Sequence, residues 1–395
     1  MDVYRGGAKN GNSIGANSLM MPLKKTIANH LVNSMGWTTK QKIVVFESDD
    51  WGSIRMPSTK AYDALMEAGI LVDRSPYCRY DNLCSAEDIE SLFAILRQHK
   101  DANGQHPMIT ANAVVTNPNF EKIASANYDS YHYETIDQTL ARFFPNHNPF
   151  SLWNQGLQQR LFIPQFHGRE HVNVPFWLDT LKRKDPVFTK AFEHGCWGIS
   201  ADVYTKYPKS IQASFDYNDR SELNFMKASL VDGLNIFEKL FHYRSESFIP
   251  NNYIWTSELD ETLIDNGVRY MQGMKYQLLP KPAGETKRQM SRRFNGQKSA
   301  AGLLQTVRNV QFEPSLLPNN DRSAAVRDCL NQIQTAFLWR KPAIVSVHRI
   351  NFCGALHVAN REINLKLFHQ LLREITRRWP DVVFMDTVSL AKIIK

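Results

Sequence analysis

No apolar run in the 395-residue chain approaches the ~18 residues of a membrane-spanning helix, so no membrane span is expected. Nor do the first residues hold the ~7–15-residue apolar core of a secretory signal. Instead Gly6, Gly7, Gly11 and Gly15 are interleaved with Asn10, Asn12 and Asn17, which predicts a flexible N-terminal tail over residues 1–22. Cysteine is scarce. Cys78, Cys84, Cys196, Cys329 and Cys353 form an odd set without a Cys-x-x-Cys pair, which argues for free thiols in a reducing, cytoplasmic setting. Also missing is any Gly-rich dinucleotide fingerprint or phosphate loop after a predicted strand; Gly195 and Gly198 fit neither pattern.

What is present is ordinary for a soluble globular chain: 43% hydrophobic and 22% charged residues support a sizeable core and exclude wholesale disorder, collagen and disulfide scaffolds. The net charge of +8 is concentrated between positions 281 and 298. There Lys281, Lys287, Arg288, Arg292, Arg293 and Lys298 face only Glu285. No nucleic-acid motif accompanies them, so they read as a solvated basic insertion, and nucleic acid is not an expected partner.

Short runs rich in Val, Ile and Phe predict strands at Lys42–Glu47, Pro107–Val115, Leu161–Gln165, Cys196–Ser200, Ser247–Pro250, Val268–Gln272, Arg308–Phe312, Ala343–His348 and Val382–Met385. Most are continuous rather than alternating, as in strands covered on both faces. Helical stripes separate them. Ser85 and Asp88 stand at capping-box spacing before Ile89, Leu92, Ile95 and Leu96. Val326, Leu330, Ile333 and Phe337 form a second stripe, and Phe368, Leu371, Leu372, Ile375 and Trp379 a third. Repeated strand–helix alternation predicts an α/β fold, a distorted (β/α) barrel. Residues 23–395 are expected to form one barrel domain, with insertions near 118–160 and 280–302.

Three strand ends carry chemistry. Glu47-Ser48-Asp49-Asp50-Trp51-Gly52 closes the first strand with adjacent carboxylates. Neighbouring strand residues point to opposite faces, so both aspartates share a site only if the chain turns, as Gly52 would allow. Two carboxylates this close resist joint ionisation without a cation. His167-Gly168-Arg169-Glu170-His171 follows the third strand; histidines at i and i+4 lie on one face of a helical turn, at metal-ligand spacing. Arg169 and Glu170 would point away as a local ion pair. Finally, Ala343–His348 is an apolar strand ending in a histidine. In barrels, catalytic groups gather at the C-terminal ends of several strands. Two histidines and one aspartate make an open three-ligand site for zinc or a similar ion, and a carboxylate base with a histidine acid beside it suits amide or ester hydrolysis. Asn112, Asn251, Asn252 and Gln272, also near strand ends, are candidate hydrogen-bonding groups.

Asp49-Asp50, His167-x-x-x-His171, Phe248-Ile249-Pro250 and the strand ending in His348 resemble, in order, the motifs of polysaccharide deacetylases, carbohydrate esterase family 4 with the NodB-homology fold. The resemblance runs from Val44 to Val347 and implies a barrel of usually seven strands. It implies Asp49 as the catalytic base and His348 as the acid. Asp50, His167 and His171 would be ligands of a divalent metal, Zn2+ first, with Co2+ or Ni2+ possible. The substrate implied is an N-acetylated or O-acetylated carbohydrate, with Trp51, Asn112, Pro250, Asn251 and Asn252 as candidate binding residues. Trp51, Trp153, Tyr253 and Trp255 are the aromatic candidates for sugar stacking. The family's third-motif arginine is absent from Phe248-Ile249-Pro250-Asn251, and Arg308, from another strand end, is the candidate replacement. Neither the usual Asp-Asp-Gly nor a fourth Asp-x-x-Asp-Trp motif occurs. Two alternatives stand beside this reading: a glycoside hydrolase pairing Asp49 with Glu258 or Asp260, and a non-catalytic glycan-binding relative.

Overall fold

Strands without a polar face must be covered on both sides. In the computed structural model, which describes residues 27–204 and 209–394, this is achieved by a ring of parallel strands inside a layer of helices. The expected tail over residues 1–22 lies outside the described residues. In chain order the strands are β1 (Ile43–Trp51), β2 (Ile109–Ala113), β3 (Phe162–Phe166), β4 (Ser247–Phe248), β5 (Tyr270–Met274), β6 (Leu304–Arg308), β7 (Val310–Gln311) and β8 (Ala343–His348). They pair in the order β6-β5-β4-β3-β2-β1-β8-β7, with β9 (Val383–Phe384) attached to the start of β1. The barrel therefore has eight parallel strands in its path where seven were expected.

The extra strand has a local cause. The run read as Arg308–Phe312 starts earlier and is split at Asn309. The part before it pairs with β5 from Leu304↔Tyr270 to Arg308↔Met274, and the part after it pairs with β8 at Val310↔Val345. The two ends of the path are thus joined by one residue, and the ring closes through the covalent chain. Asn309 makes the seam. Its Oδ1 accepts from Ile344 N (2.8 Å), and its Nδ2 donates to Pro342 O (2.9 Å) and Asn33 Oδ1 (2.7 Å).

The helices match their sequence stripes. Ala86–Leu96 opens with the Ser85–Asp88 capping box and buries Ile89, Leu92 and Leu96. Ala324–Leu338 buries Val326, Leu330 and Ile333, and Val358–Arg378 buries Phe368, Leu371, Leu372 and Ile375. Cys196–Ser200, read as a strand, is buried loop. Gly198 lies against Arg55 so closely that a Cβ would stand 2.7 Å from its Cγ and 3.0 Å from its backbone. The 118–160 region holds helices Phe120–Ser125, Ile136–Phe143 and Phe150–Gln158, together with a short hairpin between Thr116–Pro118 and Tyr133–Thr135. In the basic segment, Arg288 donates to the buried Asp216 (2.6 Å) and to Leu279 O (2.7 Å), and Met290–Arg292 pairs with Tyr276–Leu278. No helix among the described residues is long and apolar enough to cross a membrane.

Because Asn309 satisfies buried backbone groups on the strand it joins, Asn309→Ala is expected to cost about 1–3 kcal/mol. A denaturant unfolding curve with a lowered midpoint and unchanged slope checks this.

Candidate active site

β1 is buried along its whole length although it carries Glu47, Ser48, Asp49 and Asp50. Strand alternation sorts these residues. Glu47 and Asp49 share one face and point into the barrel, where both meet Arg308 from β6. Arg308 Nε donates to Glu47 Oε2 (2.7 Å), and Nη1 and Nη2 clamp Asp49 Oδ2 and Oδ1 at 2.6 Å each. Alternation alone would send Asp50 outward. Instead its φ of 73° is left-handed, and the β1–β2 register shifts between Ser48 and Trp51. This bulge returns Asp50 to the same site as Asp49, at a backbone cost of about 1–3 kcal/mol. The expected turn thus begins at Asp50 itself, with Gly52 (φ 81°) completing it.

His167 and His171 follow β3 and bracket Asp50. His171 Nε2 lies 3.0 Å and His167 Nε2 3.4 Å from Asp50 Oδ1. The segment is not the helical turn expected: it is irregular, and Gly168 has a φ of 106° beside the Asn251 side chain. Asn251 Nδ2 donates to His167 O (3.0 Å), and its Oδ1 accepts from the Ser214 hydroxyl. Arg169 and Glu170 do form an ion pair (2.5 Å), turned toward Asp232 and Ser229.

The three side chains form a buried group able to hold a metal ion. Among their atoms, His167 Nε2 is buried without a hydrogen-bond partner, while Nδ1 lies 2.9 Å from Ile249 O. A proton on Nδ1, donated to that carbonyl, leaves the Nε2 lone pair facing Asp50, the tautomer a metal needs. Burial pushes His171 down to about 4 against the pull of Asp50, so its imidazole is neutral near pH 7. Burial alone would raise Asp50, but Arg55 and His171 outweigh it and hold the carboxyl well below its usual range. One carboxylate and two imidazole nitrogens suit zinc, cobalt or nickel.

Asp49 and His348 stand beside this group as register partners across β1 and β8. Burial would raise the Asp49 carboxyl, yet the Arg308 cation brings it down to about 2. Asn112 Nδ2 also donates to Asp49 Oδ1 (2.8 Å). His348 Nε2 lies 3.8 Å from Asp49 Oδ2, and its Nδ1 is 2.6 Å from Glu313 Oε1. Burial would lower His348; Glu313 and the two aspartates overcome it and raise the imidazole to about 9. The Tyr77 ring meets His348 edge-on at 5.6 Å.

Other expected residues fall elsewhere. Trp51 is 1% exposed; its Nε1 donates to Ser48 Oγ (2.9 Å) and its ring packs on Trp153 and Phe162. It is core: alternation alone would place it on the face of Asp49, but the bulge at Asp50 turns it to the Ser48 side, away from that carboxylate. Trp153 and Trp255 are likewise buried, and only Tyr253 of the four aromatics stays partly open, its hydroxyl 3.2 Å from Arg308 Nη1. Asn112 is fully buried and exchanges two 2.8 Å bonds with Gln272 besides its bond to Asp49, so it positions the aspartate rather than facing a substrate. Pro250 is buried at the head of the turn Asn251–Tyr253, and half-buried Asn252 (φ 53°) reaches Ser210 Oγ at 3.5 Å. Glu258 is in a surface ion pair with Arg220, and Asp260 accepts from Trp255 Nε1.

Two residues of the site escaped the sequence reading. Glu313 follows directly on the predicted Arg308–Phe312 strand, the same strand-end signal that revealed His348. Arg55 has no such signal. It lies in the loop after Gly52, where Nη2 donates to Asp50 Oδ2 (2.8 Å) and Nη1 to Gln212 Oε1 (2.6 Å).

No family model and no curated protein matches the chain. Among solved structures it is similar to the 4-alpha-glucanotransferase from Thermococcus litoralis (8% identity, TM-score 0.44), covering 90% of this chain and 41% of that one. It is similar also to PuuE allantoinase (12%, TM-score 0.40, 90% and 91%) and to a polysaccharide deacetylase from Bacillus cereus (11%, TM-score 0.27, 68% and 63%). The chain thus spans about two fifths of the glucanotransferase's length. Similarity at this level carries no argument about chemistry.

Removing the carboxylate that lies between the two histidines tests this group as a metal site. Purified Asp50→Ala is expected to retain much less divalent metal than the parent after equal zinc loading and desalting, as read by elemental analysis. Arg308→Met leaves two buried carboxylates without their cation and is expected to cost about 3–5 kcal/mol in denaturant unfolding.

Proposed function

We propose that the protein is a metal-dependent hydrolase that removes acetyl groups, N-acetyl foremost, from a carbohydrate. The observation that carries this reading is the pairing of two opposed groups beside a three-ligand site. Asp49, clamped by Arg308, and His348, held by Glu313, face each other across 3.8 Å next to Asp50, His167 and His171. The carbohydrate part rests on the order of the sequence motifs.

A divalent ion held by Asp50, His167 and His171 would polarise the acetyl carbonyl and make water more acidic. The chain's own groups then divide the proton work. Asp49 Oδ1 already accepts from Arg308 and Asn112, whereas Oδ2 accepts only from Arg308 and keeps a lone pair on the His348 side. Oδ2 is therefore the atom that takes a proton from water. An aspartate lowered to about 2 is ionised at any working pH and holds that proton only briefly. His348, raised to about 9, is protonated at neutral pH. With Glu313 engaging Nδ1, it offers Nε2–H to the departing amine. Arg308 acts as the positioning cation that the Pro250 segment lacks.

This arrangement favours a histidine-assisted amide hydrolysis over a two-carboxylate glycosidase, since Glu258 and Asp260 are engaged with Arg220 and Trp255. A glycan-binding protein without chemistry would have no use for the His348–Glu313 pair.

Metal analysis comes first, followed by an acetate-release screen of the loaded protein on N-acetylated sugars and oligosaccharides. Asp49→Asn is expected to lower kcat about a hundred- to ten-thousand-fold while leaving metal content unchanged. Metal-loaded protein that binds such sugars, releases no acetate and binds equally well as Asp49→Asn would refute the enzyme. The pH profile supplies a second check. Because the His348 pKa is raised, the acid form persists through neutrality and activity falls as pH rises through about 9. Glu313→Gln removes a negative charge that raises it, so the alkaline limb should move to lower pH. An unmoved limb would exclude His348 as the acid.

A further inference from the structure

Outside the metal and acid–base groups, one pair of nucleophilic side chains has no role yet. Cys84 lies just before the capping residue Ser85, and Cys353 lies five positions after His348. The two come from distant parts of the chain, yet their sulfurs stand 2.8 Å apart, with Cys353 Sγ also 2.8 Å from Asn82 O. Both are buried, at 4% and 1% exposure.

Two chemistries can use such a pair. A metal would need a third donor, and Asp88 is the nearest carboxylate. That carboxylate is already engaged: Oδ1 accepts from Gly354 N (3.0 Å) and Arg361 Nη1 (2.8 Å), and Oδ2 accepts from Ser85 N (2.8 Å). Covalent joining needs no third partner, only a small approach toward the ~2.05 Å S–S bond. We propose that Cys84 and Cys353 are a cross-linking site that closes to a disulfide when the chain meets a small-molecule disulfide oxidant. One cysteine thiolate attacks a sulfur of the oxidant and releases one thiol. The second cysteine displaces the remaining half as another thiol. Two protons and two electrons leave the protein, and one external disulfide becomes two thiols.

The position gives the bond a consequence. Asp81, three residues before Cys84, accepts from Arg349, four residues before Cys353, at 2.9 Å. Arg349 Nη1 also donates to Ser53 O (2.7 Å), and Asp81 Oδ2 lies 3.2 Å from Arg55 Nε, the residue that holds Asp50. The cross-link therefore fastens the loop after His348 to the loop that braces the metal group. Burial pushes the Cys84 thiol well above its ordinary range, and Cys353 adds to this. Exchange consequently needs local opening, and the finished bond resists reduction in the native state.

The test uses the full chain with excess oxidised glutathione, once natively and once in urea just below the unfolding midpoint, followed by alkylation under denaturing conditions and digestion without reductant. The expected product is a peptide pair joined through Cys84 and Cys353, with Cys78, Cys196 and Cys329 alkylated. The oxidised protein should melt roughly 5–10 °C higher than the reduced one. Cys84→Ser should abolish both changes, and Cys329→Ser neither. Five alkylated cysteines in both conditions would overturn the proposal, as would a Cys78–Cys196 link in its place. So would a metal ion that the native protein holds and Cys353→Ser loses while His171→Ala keeps it.

Discussion

One guanidinium holds the centre of this barrel together. Glu47 and Asp49 are two residues apart on β1, so the pleat sends both carboxylates into the same interior, and Arg308 lies between them. Barrel interiors are commonly filled by layers of branched apolar side chains. Here Asn112, Gln272, Ser247, Ser346 and Thr387 complete a polar network around the charges. Buried ion pairs of this kind add little net stability over apolar filling. What they supply is position: a carboxylate gripped at both oxygens cannot rotate.

The site is braced from two directions. On one side Arg308 and Asn112 fix Asp49. On the other, Arg55 takes Oδ2 of Asp50 and leaves Oδ1 to the histidines, while Asp81 and Arg349 extend the alternation of charge to the residue after His348. Neither His167 nor His171 lies on a regular element. Their placement depends on Asn251 and Gly168 shaping the loop after β3, as Asp50 depends on a bulge.

Much of this was legible in the sequence because strand ends announce themselves. An apolar run that stops in a charged or titratable residue points to Asp49, Asp50 and His348, which the fold brings together, and Arg308, singled out from another strand, lies against Asp49. The failures share a cause. Nearness in sequence is not nearness of side chains: the bulge at Asp50 turns Trp51 to the opposite side of β1 from Asp49. Asn112 is a strand-end polar residue like the others, but an interior network claims both ends of its amide. Cys196–Ser200 is as apolar as a strand and is as buried as one, yet it runs as loop. The eighth strand depends on where one asparagine interrupts a run, which composition does not reveal. Arg55 carries no pattern at all; its role exists only once the loop is folded.

The separation of Asp50 from His167 and His171 along the chain has a kinetic meaning. Asp50 ends β1, the histidines follow β3, and β2 lies paired between these strands. No short stretch of chain contains the whole set, so an ion cannot gather it before three strands have assembled, and cannot act as the seed around which they fold. The same order holds in reverse. An ion seated there, among groups no more than 4% exposed, would leave only when the β1 end parts from the loop after β3. The rate at which a chelator strips the protein would then measure how often this sector of the barrel opens.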